Sequence, residues 1–221
     1  MKLVLISDTH QQHSKLKLPK GDVLIHAGDF LGWGTQLELY GFAYWLAQEA
    51  RKFEHVIVVA GNHDGVLQRQ PTEAIATLYQ IPNLYYLMDS EIVLNGVKFW
   101  GSPWTTEFKK WYFMRPSGPA MDKVWRLIPD DTQVLITHSP PTGILDKGLW
   151  GTAVGCDMLA HRLGPEGNLR PRLHVFGHAH SSYGQVERIV GEKKILHANA
   201  ALTDDANQLS RKPIALELSF D

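Results

Sequence analysis

The chain has 221 residues, of which 44% are hydrophobic and 20% are charged, and its formal net charge is −1 with neutral histidines. This is the composition of an ordinary globular protein that can bury a substantial core. The near-neutral charge lacks the basic surplus that binding of long nucleic acids requires. The single cysteine, Cys156, cannot form an internal disulfide, and we expect it to be a small buried residue.

The apolar runs are short throughout the sequence. None approaches the roughly 18 residues that a helix needs to cross a bilayer. The first run, Leu3–Ile6, is soon followed by Asp8 and is too short for the core of a signal peptide. We therefore expect a cytoplasmic protein without a membrane partner. No repeat or linker interrupts the sequence, so residues 1–221 are predicted to form a single domain.

The first half alternates between strand and helix patterns. Apolar, β-branched runs of the kind found in buried strands occupy residues 2–7, 22–27 and 55–60. The spacing of apolar residues predicts a helix over Thr35–Lys52, with Thr35 and Glu38 forming a capping box at its start. A second helix is predicted over Thr72–Tyr79. This order favours parallel strands joined by right-handed crossovers.

The second half changes towards hairpins. Asn95-Gly96 lies at the centre of Glu91–Trp100 and predicts a tight turn between two strands. Further elements are a loop over 101–119, helices over Met121–Leu127 and up to about Leu163, and strands at 133–137, 173–176, 184–190, 194–198 and 213–220. Parallel units followed by antiparallel ones predict an α/β (four-layer α+β) fold, in which two mixed β-sheets pack as a sandwich flanked by helices.

Five predicted strands end in residues that can bind a metal ion. These residues are Asp8 and His10, Asp29, Asn62 with His63 and Asp64, His138, and finally His178 and His180. In open α/β sheets the functional site lies just outside the carboxyl ends of the strands. The fold should therefore bring ligands that are distant in sequence to one edge of the sheets, where they form a metal site.

The candidate ligands supply only oxygen and imidazole nitrogen. They are Asp8, His10, Asp29, Asn62, His138, His178 and His180. This set is too large for one tetrahedral ion but suits two divalent ions that share one group, for which Asp29 is the natural bridging carboxylate. Such ligands suit Mn2+, Fe2+ and Zn2+, and we take Mn2+ as the first expectation. The excess positive charge would favour an anionic substrate.

These motifs resemble those of the calcineurin-like metallophosphoesterase superfamily. Asp-x-His, Gly-Asp, Gly-Asn-His-Asp, His and Gly-His-x-His occur in that order between Asp8 and His180. Gly101–Trp104, Thr137–Pro141 and Arg170–Gly177 look like the metallophosphoesterase-domain-containing subfamily, which is similar to cyclic-nucleotide phosphodiesterases. The resemblance implies the metallophosphoesterase fold and a metal-dependent phosphodiesterase.

The resemblance also implies a role for each site residue. One ion would take Asp8, His10, Asp29 and His180, and the other would take Asp29, Asn62, His138 and His178. His63 would assist the leaving group after attack by a metal-bridging hydroxide, with Asp64 as the partner that orients it. Asn62, His63 and, as a further candidate, Trp104 would contact the substrate.

The expected substrate is a small phosphodiester, with cyclic nucleotides as the leading case. Protein phosphatases of the superfamily carry an arginine that Gly28–Gly34 lacks, and its DNA-repair nucleases need additional domains. A phosphomonoesterase or nucleotide pyrophosphatase is the alternative within enzymes. A non-catalytic interaction scaffold is the alternative outside them, and the presence of His63 argues against it. The oligomeric state is left open.

Six aromatic residues in or near loops are candidates for stacking on a nucleobase, with packing in the protein interior as the alternative for each. They are Trp33, Trp104, Phe108, Trp111, Tyr112 and Phe113. Six histidines outside the motifs are expected to be structural: His13, His26, His55, His161, His174 and His197.

Overall fold

The computed structural model describes residues 1–220 and places thirteen strands in three sheets. In chain order the strands are β1 (Lys2–Ile6), β2 (Val23–His26), β3 (His55–Val58), β4 (Leu84–Tyr86), β5 (Ser90–Leu94), β6 (Val97–Ser102), β7 (Thr105–Thr106), β8 (Met114–Arg115), β9 (Val134–Thr137), β10 (Leu173–Phe176), β11 (Gly184–Val190), β12 (Lys193–Asn199) and β13 (Ile214–Glu217). The α-helices are α1 (Gln36–Glu49), α2 (Val66–Arg69), α3 (Pro71–Leu78), α4 (Pro119–Trp125) and α5 (Asp157–Leu163).

Both large sheets are mixed, as predicted. The first has the order β13-β1-β2-β3-β4, in which β1 to β4 are parallel and β13 is antiparallel to β1. The second has the order β11-β12-β10-β9-β6-β5, in which the four inner strands are parallel and both edge strands are antiparallel. The strands β7 and β8 pair separately. The parallel strands of each sheet therefore end at a common edge.

The residues of the inner strands alternate between two layers of core. Leu5 and Ile25 of the first sheet belong to one buried cluster with Phe99, Ile136 and Val175 of the second sheet, so this cluster lies between the sheets. The alternate residues face outwards and pack under helices. Val4 and Leu24 share a cluster with Leu39, Phe42 and Leu46 of α1, and Leu135 shares it with Trp125 of α4 and Leu159 of α5. The predicted four-layer arrangement is confirmed.

The predicted first helix is confirmed together with its capping box. The backbone N–H of Glu38 donates to Thr35 Oγ1 at 3.2 Å, and the backbone N–H of Thr35 donates to Glu38 Oε2 at 2.9 Å. A 3-10 turn at Ala50–Lys52 follows α1 and completes the predicted range. No helix within residues 1–220 is long and apolar enough to cross a membrane.

The elements after residue 60 match the prediction from the sequence less closely. The hairpin at Asn95-Gly96 is confirmed, and both turn residues have positive φ, 51° and 79°. The elements α2, β4, β7 and β8 were not predicted, because each has only two to four residues and too little pattern for a period to be seen. Cys156 is buried, as expected, and accepts a hydrogen bond from Trp125 Nε1 at 3.2 Å.

Candidate metal centre

The carboxyl ends of the inner strands of both sheets meet at one place. The backbone N–H of Asp8, after β1, donates to Gly28 O at 2.9 Å, and that of Gly177, after β10, donates to His138 O at 3.1 Å. The two sheets are linked there, because the backbone N–H of His178 donates to both carboxylate oxygens of Asp8 at 3.1 and 3.0 Å. The predicted meeting of distant sequence motifs therefore occurs.

Four candidate ligands have an unusual backbone conformation. Asp8, His10, Asp29 and His178 have φ values of 52°, 39°, 55° and 65°, in the left-handed region that side chains rarely adopt. Each such residue costs on the order of 1–3 kcal/mol, and such strain persists where the surrounding structure enforces it, often at functional sites. Here the sharp turns after the strands aim the ligand side chains at one another.

Two glycines allow this crowding. Gly28 has a φ of 106°, and a Cβ there would overlap His138 Nδ1 and the carbonyl oxygen of Ala60. A Cβ at Gly177 would overlap the carboxylate of Asp8 and the hydroxyl of Ser7. Close approach of neighbouring atoms therefore requires glycine before both Asp29 and His178, and the positive φ is a second reason at Gly28.

The first group of candidate ligands consists of Asp8, His10 and His180, whose donor atoms all lie within 4.8 Å of one another. His180 Nε2 lies 3.1 Å from Asp8 Oδ1 and 3.3 Å from His10 Nε2. Asp29 Oδ2 lies 4.0 Å from His10 Nε2, on the side facing the second group.

The second group consists of Asp29, His138 and His178, again within 4.8 Å. His138 Nε2 lies 3.3 Å from Asp29 Oδ2 and 3.1 Å from Asn62 Oδ1. Asp29 therefore approaches histidines of both groups, which is the position that a shared ligand needs. The seven predicted ligands thus lie together, and they are called the metal-ligand floor below.

Hydrogen bonds to backbone carbonyls orient two of the histidines. His138 Nδ1 donates to Ala27 O at 2.9 Å, and His180 Nδ1 donates to Asp204 O at 3.0 Å. A carbonyl accepts only, so Nδ1 carries the proton and Nε2 is the nitrogen available to a cation. This arrangement is typical of histidines that bind metals, and the donor set of carboxylate oxygens and oriented imidazoles fits divalent ions.

The charges of the floor are mutually stabilising. Burial works against ionisation of Asp8 and Asp29, but nearby histidines, chiefly His180 for Asp8 and His138 for Asp29, hold the pKa of both carboxyls below the ordinary value. Burial would likewise lower the pKa of His138, yet Asp29 raises it to about 9. Burial lowers the pKa of His178 to about 3, which leaves it neutral. The floor thus holds two buried carboxylates in their ionised form.

His63 lies beside the floor, and its contacts correct one prediction. His63 Nδ1 donates to Gly32 O at 2.7 Å, and its backbone N–H donates to Asp29 Oδ1 at 2.7 Å. The carboxylate of Asp64 instead accepts from the backbone N–H groups of Asp29, Leu31 and Gly61 at 2.7–2.9 Å.

The prediction that Asp64 orients the His63 ring is therefore wrong, since Gly32 O takes that place. The side chain of Asp64 is fully buried and turns back into the loop, away from the imidazole. Burial, followed by the charge of Asp29, raises its pKa well above the ordinary value. Its hydrogen bonds fix the two loops that carry Asp29 and His63.

A cavity of about 540 Å3 opens above the floor. Its lining includes four large apolar side chains, those of Phe108, Trp111, Leu149 and Trp150, which are called the aromatic wall below. Lys109, Asp205 and Asn207 belong to the same lining. The site therefore combines a charged base with an apolar side wall.

Trp104 does not belong to this cavity, so the prediction that it contacts substrate is wrong. It is 6% exposed, and its Nε1 donates to Asp89 Oδ2 at 2.8 Å. Phe113 packs edge-on against Trp104 and is also buried. The guanidinium of Arg115 lies 4.0 Å from the centre of the Trp104 ring. Of the six candidate aromatics, the structure places Phe108 and Trp111 in the cavity lining.

Sequence reasoning missed the part of the wall formed by Leu149 and Trp150. A signal was present, because two apolar residues stand between Gly148 and Gly151 in a polar loop. Trp150 is 90% exposed and has a φ of 59°. Asp205 and Asn207 follow β12 by several residues and had no pattern that pointed to the site.

Comparisons with known proteins agree with this geometry. The family model described as calcineurin-like phosphoesterase matches residues 1–182. The human protein named metallophosphoesterase domain-containing protein 1 is 34% identical, over 98% of this chain and 71% of its own length. A Caenorhabditis elegans protein named UPF0046 protein K07C11.7 is 35% identical, over 97% and 74%.

Among solved structures, the protein TT1561 of Thermus thermophilus has a TM-score of 0.60 at 14% identity, covering 97% of both chains, which is a likeness of fold. The family match includes every floor residue, since the last of them is His180. The chain therefore belongs to the calcineurin-like phosphoesterase family, a family of metal-dependent hydrolases.

Proposed function

We propose that the protein hydrolyses small phosphodiesters, with cyclic nucleotides as the leading substrates. The observation that carries this proposal is the pairing of the metal-ligand floor with the aromatic wall in one cavity of about 540 Å3. That volume is in the range of small-molecule sites. A phosphate group would lie over the floor while an apolar or aromatic substituent lies against the wall.

The charges around the cavity favour a diester over a monoester. Among the described residues that line it, Lys109 alone is a lysine or arginine, and Asp205 adds a carboxylate to the lining. A monoester carries close to two negative charges at neutral pH and a diester carries one. With few side-chain cations beyond the floor, the singly charged substrate is better matched.

The aromatic wall supports a nucleotide as the esterified group. Phe108 is 52% exposed and Trp150 is 90% exposed, so their rings are accessible. Stacking of a base on an aromatic side chain contributes about 1–3 kcal/mol and tolerates any base. The wall therefore supports binding of nucleotides without dictating which base is bound.

We propose that the floor holds two divalent ions. Asp8, His10, Asp29 and His180 would hold one, and Asp29, Asn62, His138 and His178 would hold the other. When bound, such ions supply an activated water and Lewis-acid stabilisation of the phosphoryl oxygens. The buried, ionised carboxylates and the Nε2 atoms left available on His138 and His180 support this assignment.

His63 is proposed to assist the leaving group. Its Nδ1 is committed to Gly32 O as a donor, which leaves Nε2 as the nitrogen that can transfer a proton. A protonated Nε2 can donate to the departing oxygen and so avoid release of a free alkoxide. The bond from the His63 backbone N–H to Asp29 Oδ1 fixes this residue relative to the floor.

Comparing two chromogenic esters tests the proposal. Turnover of bis-p-nitrophenyl phosphate and p-nitrophenyl phosphate would be measured with added Mn2+, followed by 3′,5′- and 2′,3′-cyclic nucleotides. We expect the diester to be hydrolysed more efficiently and at least one cyclic nucleotide to be opened. Faster turnover of the monoester would replace this proposal with a phosphomonoesterase, and inactivity towards every ester would contradict a catalytic role.

A further inference from the structure

The imidazole of His63 is held by more than its hydrogen bond. The bond from Nδ1 to Gly32 O fixes one ring atom but allows the ring to swing about it. The ring of Trp111 covers one face of the imidazole, with centroids 4.1 Å apart and planes 33° apart. His10 meets it edge-on at 4.7 Å and 85°. A face contact and an edge contact together restrict the swing that the hydrogen bond permits.

Trp111 is itself fixed to the segment that carries His63. The backbone N–H of Tyr112 donates to Asn62 O at 3.2 Å. The backbone N–H of Phe113 donates to Gln68 Oε1 at 2.7 Å, and the Phe113 side chain is fully buried. Trp111 therefore has a defined position relative to His63, although it lies in a loop.

A second aromatic ring lies near Trp111. Trp33 stacks near it with ring centroids 6.5 Å apart and planes 28° apart, and Trp33 is 75% exposed. His63 and Trp33 are therefore both neighbours of the Trp111 ring. Trp111 is only partly exposed, so it is less available to a substrate base than Phe108 or Trp150, which are 52% and 90% exposed.

The geometry points to Trp111 as a positioning residue for His63. By covering one face of the imidazole, Trp111 holds the ring in the orientation that presents Nε2 to the leaving oxygen. This inference rests on the leaving-group role proposed for His63. Because small misplacements of a catalytic group reduce the rate strongly, loss of the stack should appear in kcat.

Two diesters of similar shape separate this role from substrate binding. Bis-p-nitrophenyl phosphate releases p-nitrophenolate, which needs little help from an acid. Diphenyl phosphate releases the more basic phenoxide, so its hydrolysis depends more on proton transfer. A residue that acts through His63 should therefore affect diphenyl phosphate more than the nitrophenyl diester.

The decisive variants are Trp111→Leu, which removes the ring, and Trp111→Phe, which keeps an aromatic face. We expect Trp111→Leu to lower kcat for diphenyl phosphate by about 10–100-fold, with a much smaller change for the nitrophenyl diester, and Trp111→Phe to restore most of the loss. In a His63→Ala background, Trp111→Leu should have no further effect, because residues that act as one unit are not additive. Tyr44→Leu, an exposed aromatic on α1 outside the cavity lining, is the matched control.

Several outcomes would overturn the inference. A higher KM for both diesters at unchanged kcat would make Trp111 a binding surface. Equal losses on both diesters, or an additional loss in the His63→Ala background, would make its role structural. If Trp111→Leu kept the wild-type rates while His63→Ala was slow, the inference about Trp111 would be refuted and the proposed role of His63 would stand. Undiminished rates in His63→Ala would instead refute the proposed role of His63 itself.

Discussion

The metal-ligand floor and the aromatic wall differ in how the fold supports them. Asp8 and Asp29 of the floor are 0% and 2% exposed and follow inner strands of the first sheet directly. Phe108 and Trp150 of the wall are 52% and 90% exposed; Phe108 lies on a loop, and Trp150 lies in a short 3-10 turn, Leu149–Gly151, within another. The floor is therefore positioned by two packed sheets, whereas the wall depends on local loop structure.

Under the proposed function, this difference separates the residues that carry out the reaction from those that select the substrate. Groups that must be fixed within a fraction of an ångström belong on a rigid scaffold, and groups that recognise a variable substituent can lie on loops. The floor and the wall also differ in what surrounds their left-handed backbone conformations. Asp8, Asp29 and His178 keep left-handed conformations inside a hydrogen-bonded framework, while Trp150 adopts one on an exposed loop. Substitutions in the floor should abolish activity, and substitutions of Phe108 or Trp150 in the wall should change substrate preference.

The largest effect is expected from Asp29→Asn. The amide oxygen can still accept from the His63 backbone N–H, but the negative charge that both ligand groups approach is lost. We expect both ions to be lost together with all measurable turnover. Metal content per chain, measured by mass spectrometry, gives the answer. Asp131→Asn on the surface is the matched control, and an Asp29→Asn protein that retains two ions would refute the shared ligand.

His63→Ala should have the next largest effect. His63 lies at the border of the floor and the wall, with Asp29 on one side and Trp111 on the other. We expect two ions to remain bound while kcat for diesters with poor leaving groups falls by about 10²–10⁴-fold. Loss of a metal ion in this variant would instead place His63 among the ligands.

Trp150→Gly should change binding and spare the chemistry. Glycine adopts the observed φ of 59° without strain, so the thermal midpoint should not fall. Removing the ring should weaken a stacked nucleotide by about 1 kcal/mol or more, which would raise KM about fivefold or more. The kcat for bis-p-nitrophenyl phosphate and the metal content should be retained. An unchanged KM for every nucleotide tested would show that Trp150 does not stack on the base.

The smallest effect on activity is expected from a histidine pair in the second sheet, away from both regions. His174 Nδ1 and His197 Nδ1 lie 3.3 Å apart, and His174 Nε2 lies 2.9 Å from Thr137 Oγ1. Burial, followed by the charge of Arg188, lowers the pKa of His197 to about 4. The folded state therefore favours the neutral ring more than the unfolded state does.

This difference makes stability depend on pH with a definite sign. Above pH 6.5 the His197 ring is neutral in both the folded and the unfolded state, and its full contribution to the free energy of unfolding is present. As the pH falls from 6.5 to about 4, only the unfolded state gains the proton, so up to about 3 kcal/mol is lost. The free energy of unfolding of the metal-free protein, measured with urea, should decline less steeply with falling pH for His197→Asn than for the wild type. Parallel curves would contradict the lowered pKa.

The fold was largely predictable because its signals are local and strong. The apolar runs before Asp8, Asp29 and His138 are β1, β2 and β9, and the capping box at Thr35 starts α1 one residue later. Two site assignments failed because the local sequence does not show which groups a side chain contacts in the folded chain. Asp64 follows His63 directly, yet its carboxylate serves the backbone of another loop. Trp104 lies in a loop-like stretch, yet Asp89 and Arg115 hold it in the interior.

The sequence by itself determined the class of fold, the order of the candidate ligands and the family resemblance. Strand periodicity and residue chemistry are local properties, and the carboxyl ends of parallel strands must share an edge. Only the tertiary structure decided which groups touch. It placed Asp29 between two ligand groups, assigned Gly32 O to His63, and built the aromatic wall from two loops that are distant in the chain. These contacts depend on loop conformation and packing across the sheets, which no short stretch of sequence encodes.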